Sequence, residues 1–93
     1  MIGYTWDESK RQRNLRKHGL DFADAEAVFS GEHFTRTDDR QDYGEERKVT
    51  AGYLKGRIVV LAWAPREGER RIISMRYGNA REEEKARRHI ARH

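Results

Sequence analysis

Residues 47–77, RKVTAGYLKGRIVVLAWAPREGERRIISMRY, decide the fold. Arg47–Leu54 is rich in strand formers, and Lys55-Gly56 marks a tight turn into Arg57–Ala64. That second segment holds the longest apolar run of the chain, Ile58 to Ala64. Pro65-Arg66-Glu67-Gly68 reads as another reversal, and Arg70–Tyr77 as the last strand. Three strand-length segments joined by short turns predict an antiparallel meander whose apolar middle strand is the most buried.

Working outward, the flanks are mostly helical. Upstream, Tyr4-Thr5-Trp6 reads as a short edge strand, and Asp7 suits the N-cap of a helix over 8–18 that ends at Gly19. Asp21 can cap a second helix with the stripe Phe22, Ala25, Val28 and Phe29, closed by Gly31. His33–Thr37 alternates weakly as a strand, and residues 38–44 form a polar loop. Downstream, Asn79-Ala80-Arg81-Glu82 has the spacing of a capping box and opens a terminal helix. Helices plus an antiparallel sheet predict an α+β fold in one domain, residues 1–93.

Composition narrows the function classes. The longest apolar run is far shorter than the roughly 18 residues of a membrane span, and the N-terminus lacks the basic opening and apolar stretch of a signal peptide. Absence of cysteine removes disulfides, thiol nucleophiles and thiolate metal sites. These features predict a soluble cytoplasmic domain without a membrane partner. Of the four histidines only His89 and His93 have ligand spacing, at a terminus, so neither a metal nor another cofactor is expected. Ser9, Ser30 and Ser74 lack a nucleophile-elbow context, and no glycine-rich phosphate loop is present.

Charge is the stronger signal. The net charge of +4 divides into +3 over 1–20, −7 over 21–46, +7 over 47–81 and +1 over 82–93. Arginine outnumbers lysine fifteen to five. Arginine presents a planar fork suited to phosphate, so a polyanionic partner is expected. Arg47, Lys48, Tyr53, Arg57, Trp63, Arg70, Arg71, Arg76, Tyr77 and Arg81 all fall in the meander or just after it. Cations spread over a sheet can contact successive phosphates, and exposed aromatics can stack unpaired bases. RNA also carries its own nucleophile, the 2′-OH, and a site that aligns it and stabilises the added charge needs no metal. Glu45, Glu46 or His18 could accept the proton. Against this stands the possibility that the arginines pair with the acidic 21–46 segment. A non-catalytic nucleic-acid-binding module and a charged protein-interaction module are the other readings of the same pattern.

The order and spacing of several short pieces resemble the BrnT-type toxins of bacterial toxin–antitoxin modules. They are Trp6-Asp7 with Lys10, Asn14, Lys17-His18-Gly19, Phe22, Ala25 and Phe29. Further on come Gly44-Glu45-Glu46-Arg47, Gly52, and Arg71-Ile72-Ile73-Ser74-Met75-Arg76 followed by Glu82. Two positions depart from the family pattern: Gly78 stands where alanine is usual, and Lys48 where many members are aromatic or aliphatic. The resemblance implies a RelE-like fold, with N-terminal helices and a C-terminal helix packed on the sheet. It also implies a ribonuclease that halts translation and is neutralised by a cognate antitoxin with a DNA-binding segment; operator DNA would be reached only through that antitoxin. Within the motifs, Arg47 and Arg76 are expected to stabilise the transition-state phosphate, with Glu46 as the third catalytic residue. Lys17, His18, Arg57, Trp63, Arg71, Tyr77 and Arg81 are expected to contact RNA. An antitoxin that covers the +7 surface, through acidic and apolar residues, is the simplest inhibitor.

Overall fold

The computed structural model describes residues 2–92. Strand β1 (Gly3–Trp6) leads into helix α1 (Glu8–His18), a 3₁₀ turn (Phe22–Asp24) and helix α2 (Ala25–Ser30). Strands β2 (His33–Thr37), β3 (Lys48–Leu54), β4 (Arg57–Arg66) and β5 (Glu69–Tyr77) follow, and helix α3 (Ala80–Ala91) ends the chain. The five strands lie in the order β1-β5-β4-β3-β2. The expected meander is β3-β4-β5, antiparallel throughout, with β2 added antiparallel to β3. β1 differs from a simple antiparallel edge: it runs parallel to β5, so the sheet is mixed.

Local chemistry accounts for the helix ends. Asp7 accepts a hydrogen bond from the Lys10 backbone N–H, and Gly19 closes α1 in the left-handed region at φ 70°. Asn79 and Glu82 form the reciprocal capping box at the start of α3. The second helix is shorter than its apolar stripe suggested. Asp21 caps Ala23 and starts a 3₁₀ turn, and regular α-helix begins only at Ala25. The expected turn over 65–68 is also corrected, because Pro65 and Arg66 belong to β4. β3 pairs with β4 only as far as Trp63, so Pro65 lies on a stretch with a free edge, where a missing N–H is tolerated.

Each face of the sheet carries its own apolar cluster. Val59, Leu61, Trp63, Ile72 and Met75 pack against Leu20, Phe22, Ala25, Val28 and Phe29 from the N-terminal half. Gly52 lets α2 approach β3: a Cβ there would stand 2.8 Å from Val28 Cγ1 and 2.9 Å from His33 Cβ. On the opposite face Ile58 packs with Ala86 and Ile90 of α3, flanked by Phe34, Ala51 and Tyr53. α3 covers only that end, so the remainder of the second face is open. No helix among the described residues is long and apolar enough to cross a membrane.

Candidate functional site

A β-bulge sets the composition of the open face. Trp63 pairs with Ile72 and Ala62 with Ser74, which leaves Ile73 as the extra residue on β5. Strict alternation would place Arg70, Ile72, Ser74 and Arg76 on one side. The inserted residue reverses the phase. Arg70 and Ile72 stay on the helix-covered face, where Arg70 lies 3.9 Å from the Phe29 ring centroid, and Met75 joins the core. Ser74 and Arg76 turn to the open face with Val60 and Ala62.

There they meet two further arginines. Arg36 of β2, Arg40 of the following loop, Ser74 and Arg76 surround a floor of Val49, Val60 and Ala62, lining a pocket of about 110 Å³. Arg40 is held by Asp38, with Nε donating to Oδ1 at 2.8 Å and Nη2 to Oδ2 at 3.0 Å. Tyr43 donates its hydroxyl to the same carboxylate at 3.1 Å. These bonds, the Arg40 guanidinium foremost, lower the Asp38 pKa to about 2. Arg76 makes a fork-to-fork pair with Glu82 of α3, Nη1 to Oε1 at 2.7 Å and Nη2 to Oε2 at 2.8 Å. The pairing lowers the Glu82 pKa to about 2 and raises that of Arg76. Glu82 also accepts from the Asn79 backbone N–H, so one side chain both caps α3 and fixes the arginine. Arg36 has no ion-pair partner among the described residues. The result is a polar pocket rimmed by three permanent cations, suited to bind an anion bearing several oxygens.

The sequence-predicted residues divide among several locations. Arg76 lines the pocket, and Arg71, paired with Ala64 beyond the bulge, falls on the same open face by alternation. Arg47 packs 4.0 Å from the Tyr43 ring centroid, with Nε 3.8 Å from Glu45 Oε2. Glu46 pairs with Lys48 at 3.4 Å and is not among the pocket-lining residues. Arg57 stacks on Tyr77, 3.8 Å from its centroid, and both alternate onto the helix-covered face, away from Arg76. Trp63 requires a correction: it is 7% exposed, in the core, and its indole N–H donates to Thr50 Oγ1 at 2.8 Å, so no ring face is free for a base. Arg81 lies on α3 beside Lys85 and Arg88. Lys17 and His18 line a depression between α1 and β5 with Lys10, Arg13, Asn14, Ile73 and Ser74.

Sequence reading missed Arg36, Arg40 and Ser74, and saw Glu82 chiefly as a helix cap. Arg36 and Arg40 are the two cations of the −7 segment, so the segment total concealed them. The anticipated pairing of the cluster's arginines with acidic residues 21–46 is realised only at Arg47 with Glu45; Arg66 and Arg11, outside the cluster, pair with Glu45 and Asp21. Among the described residues no three His, Cys, Asp or Glu side chains group as metal ligands; His93 lies outside that range.

Two comparisons with known proteins point to one family. A family model described as the ribonuclease toxin BrnT of type II toxin–antitoxin systems matches residues 6–82. The crystal structure of the Brucella abortus ribonuclease toxin BrnT is similar at 31% identity, with a TM-score of 0.64. That match covers 85% of this chain and 99% of the other. A search of curated protein sequences gave no match. The matched span includes the bulge, Arg36, Arg40, Arg76 and Glu82, and with sequence and structure in agreement the chain belongs to the BrnT family of ribonuclease toxins of type II toxin–antitoxin systems.

Proposed function

We propose that the open sheet face binds the scissile phosphate of RNA and cleaves the chain without a metal ion. The observation that carries this reading is the convergence of Arg36, Arg40 and Arg76 on one open pocket. In the proposed reaction the 2′ oxygen forms a bond to phosphorus and loses its proton to a base. The bond from phosphorus to the 5′ oxygen breaks, and that oxygen takes a proton as it leaves. A 2′,3′-cyclic phosphate and a 5′-hydroxyl result. Charge grows on the non-bridging oxygens in the transition state, and fixed guanidinium donors stabilise it. Glu82 keeps Arg76 pre-oriented and is too weakly basic to take the proton.

Arg47 and Arg71 extend the cationic face around the pocket, and Arg47 stiffens the 38–47 loop through Tyr43. Among the proton acceptors considered, His18 is favoured over Glu46. It borders the depression that shares Ser74 with the arginine pocket, whereas Glu46 is engaged with Lys48. Cleavage of cytoplasmic RNA would halt translation. A cognate antitoxin with a DNA-binding segment would inhibit by covering the arginine face.

The test is incubation of purified protein with end-labelled RNA in excess EDTA. Fragments ending in a 2′,3′-cyclic phosphate are expected, and Arg76→Ala should abolish them while the circular dichroism spectrum is retained. RNA that is bound but left intact by wild-type protein, with or without divalent metal, would reduce the domain to a binding module.

A further inference from the structure

We infer that α1 carries a subsite for the RNA strand flanking the cleaved phosphate, reached across β5 at Ser74. The inference rests on the arginine pocket being the cleavage site. It comes from how α1 sorts its charges. Lys10, Arg13 and Lys17 occupy positions i, i+3 and i+7, one helical face, and all three line the depression against Ile73 and Ser74. None of the three has an ion-pair partner among the described residues, whereas Arg11 is engaged by both Glu8 and Asp21. Lys10, Arg13 and Lys17 thus share one side of the helix, away from the paired Arg11, while Arg16 lies outside that row.

Continuity of the surface supplies the second argument. Ser74 lines this depression and also the arginine pocket, so the two open areas meet at one exposed side chain. β1 stops pairing with β5 at Ile72, so among the described residues no strand continues along that edge beside Ile73 and Ser74. A strand whose phosphate sits among Arg36, Arg40 and Arg76 can therefore cross at Ser74, where the two linings meet, to the three α1 cations. Polyanionic backbone is the occupant that matches a row of unpaired cations with no acidic residue in the lining.

Salt dependence of binding separates this track from diffuse attraction. The probe is a fluorescein-labelled 2′-O-methyl oligouridylate dodecamer, which lacks the nucleophilic hydroxyl and remains intact. Each phosphate contact on a single strand contributes about 0.7 to the slope of log K against log salt, so Arg13→Gln should reduce the slope by about that amount. The combined Lys10→Gln, Arg13→Gln, Lys17→Gln protein should reduce it by about 2. Arg16→Gln, an exposed cation of the same helix outside the depression, serves as the control and should leave the slope unchanged. With a dinucleotide probe, whose single phosphate is taken by the arginine pocket, the triple variant should bind with the wild-type slope. Equal slope changes for Arg13→Gln and Arg16→Gln, or none in the triple variant, overturn the inference. So does a triple variant that loses affinity only for the antitoxin. The probe cannot be cut, so these outcomes are independent of whether wild-type protein cleaves RNA in EDTA.

Discussion

Asn14 takes the place of a neighbouring strand for Met75. Its Nδ2 donates to the Met75 carbonyl at 2.9 Å, and the Met75 N–H donates to its Oδ1 at 3.1 Å. The same Nδ2 donates to the Leu20 carbonyl at 3.1 Å. One carboxamide therefore satisfies the β5 backbone past the end of β1 and ties α1 to the chain that follows it. The contact lies two residues beyond the bulge, so it holds β5 in the phase that sends Ser74 and Arg76 outward.

Replacing that amide should be costly. Asn14→Leu has similar bulk but leaves the Met75 N–H and two carbonyls without partners in a buried place. A loss of about 1–3 kcal/mol is expected for stranding such groups. Urea denaturation measures it; a loss below about 0.5 kcal/mol, the range of ordinary surface substitutions, would show that water replaces the amide.

Trp63 should behave as a core residue. Trp63→Phe removes the indole N–H from Thr50 and some apolar volume beneath Phe29, whose ring meets Trp63 edge-on at 5.5 Å. Stability is expected to fall by about 1–3 kcal/mol, with RNA affinity of the folded protein unchanged. A many-fold loss of affinity at unaltered stability would return Trp63 to the binding surface.

What was legible in the sequence was local. The Asp7 cap, the Asn79–Glu82 box and the turn at Lys55-Gly56 each depend on residues within a few positions of one another. The burial of Trp63 was also readable in principle, because it alternates with Val59 and Leu61. The bulge was only half-legible: the doublets Arg70-Arg71 and Ile72-Ile73 interrupt the alternation of the last strand, but residue types alone do not say that Ile73 is the extra one. The phase of Arg76 relative to Arg70 and Ile72 depends on that insertion, and so does its separation from Arg57, whereas Tyr77 lies opposite Arg76 by simple alternation. Parallel pairing of β1 was hidden for a similar reason, since its partner lies more than sixty residues away. Glu82 satisfied the capping pattern so completely that its second role beside Arg76 had no separate signature.

Acid should loosen the open face. The Asp38 and Glu82 pKa values, each about 2, lie below the ordinary values of 3.8 and 4.5. The unfolded chain therefore binds more protons than the folded one in this window. The stability these carboxylates contribute is complete above about pH 4.5 and is lost as pH falls through about 2. Melting temperature followed between those limits should decline, and Glu82→Gln should decline less steeply, with Asp38 supplying the remainder. An unchanged acid limb in Glu82→Gln would mean that the pair with Arg76 contributes nothing to stability.

The geometry of the Arg76–Glu82 pair makes one substitution especially informative. Arg76→Lys keeps the positive charge, yet a lysine ammonium cannot make two parallel bonds to a carboxylate or hold a planar fork toward phosphate. If Arg76 acts only as a charge, the lysine variant retains cleavage. If it acts as an oriented donor, Arg76→Lys should fall nearly as far as Arg76→Ala, by about 10²–10³ in single-turnover rate. Arg36 offers the internal contrast: its charge acts on Glu82, but no carboxylate among the described residues makes an ion pair with its guanidinium. Arg36→Lys should therefore retain most of the activity that Arg36→Ala loses. Measuring the four variants on one labelled RNA, at constant ionic strength, distinguishes the two roles. Equal tolerance of lysine at positions 36 and 76 would remove orientation by Glu82 from the mechanism and leave the pocket acting through charge alone.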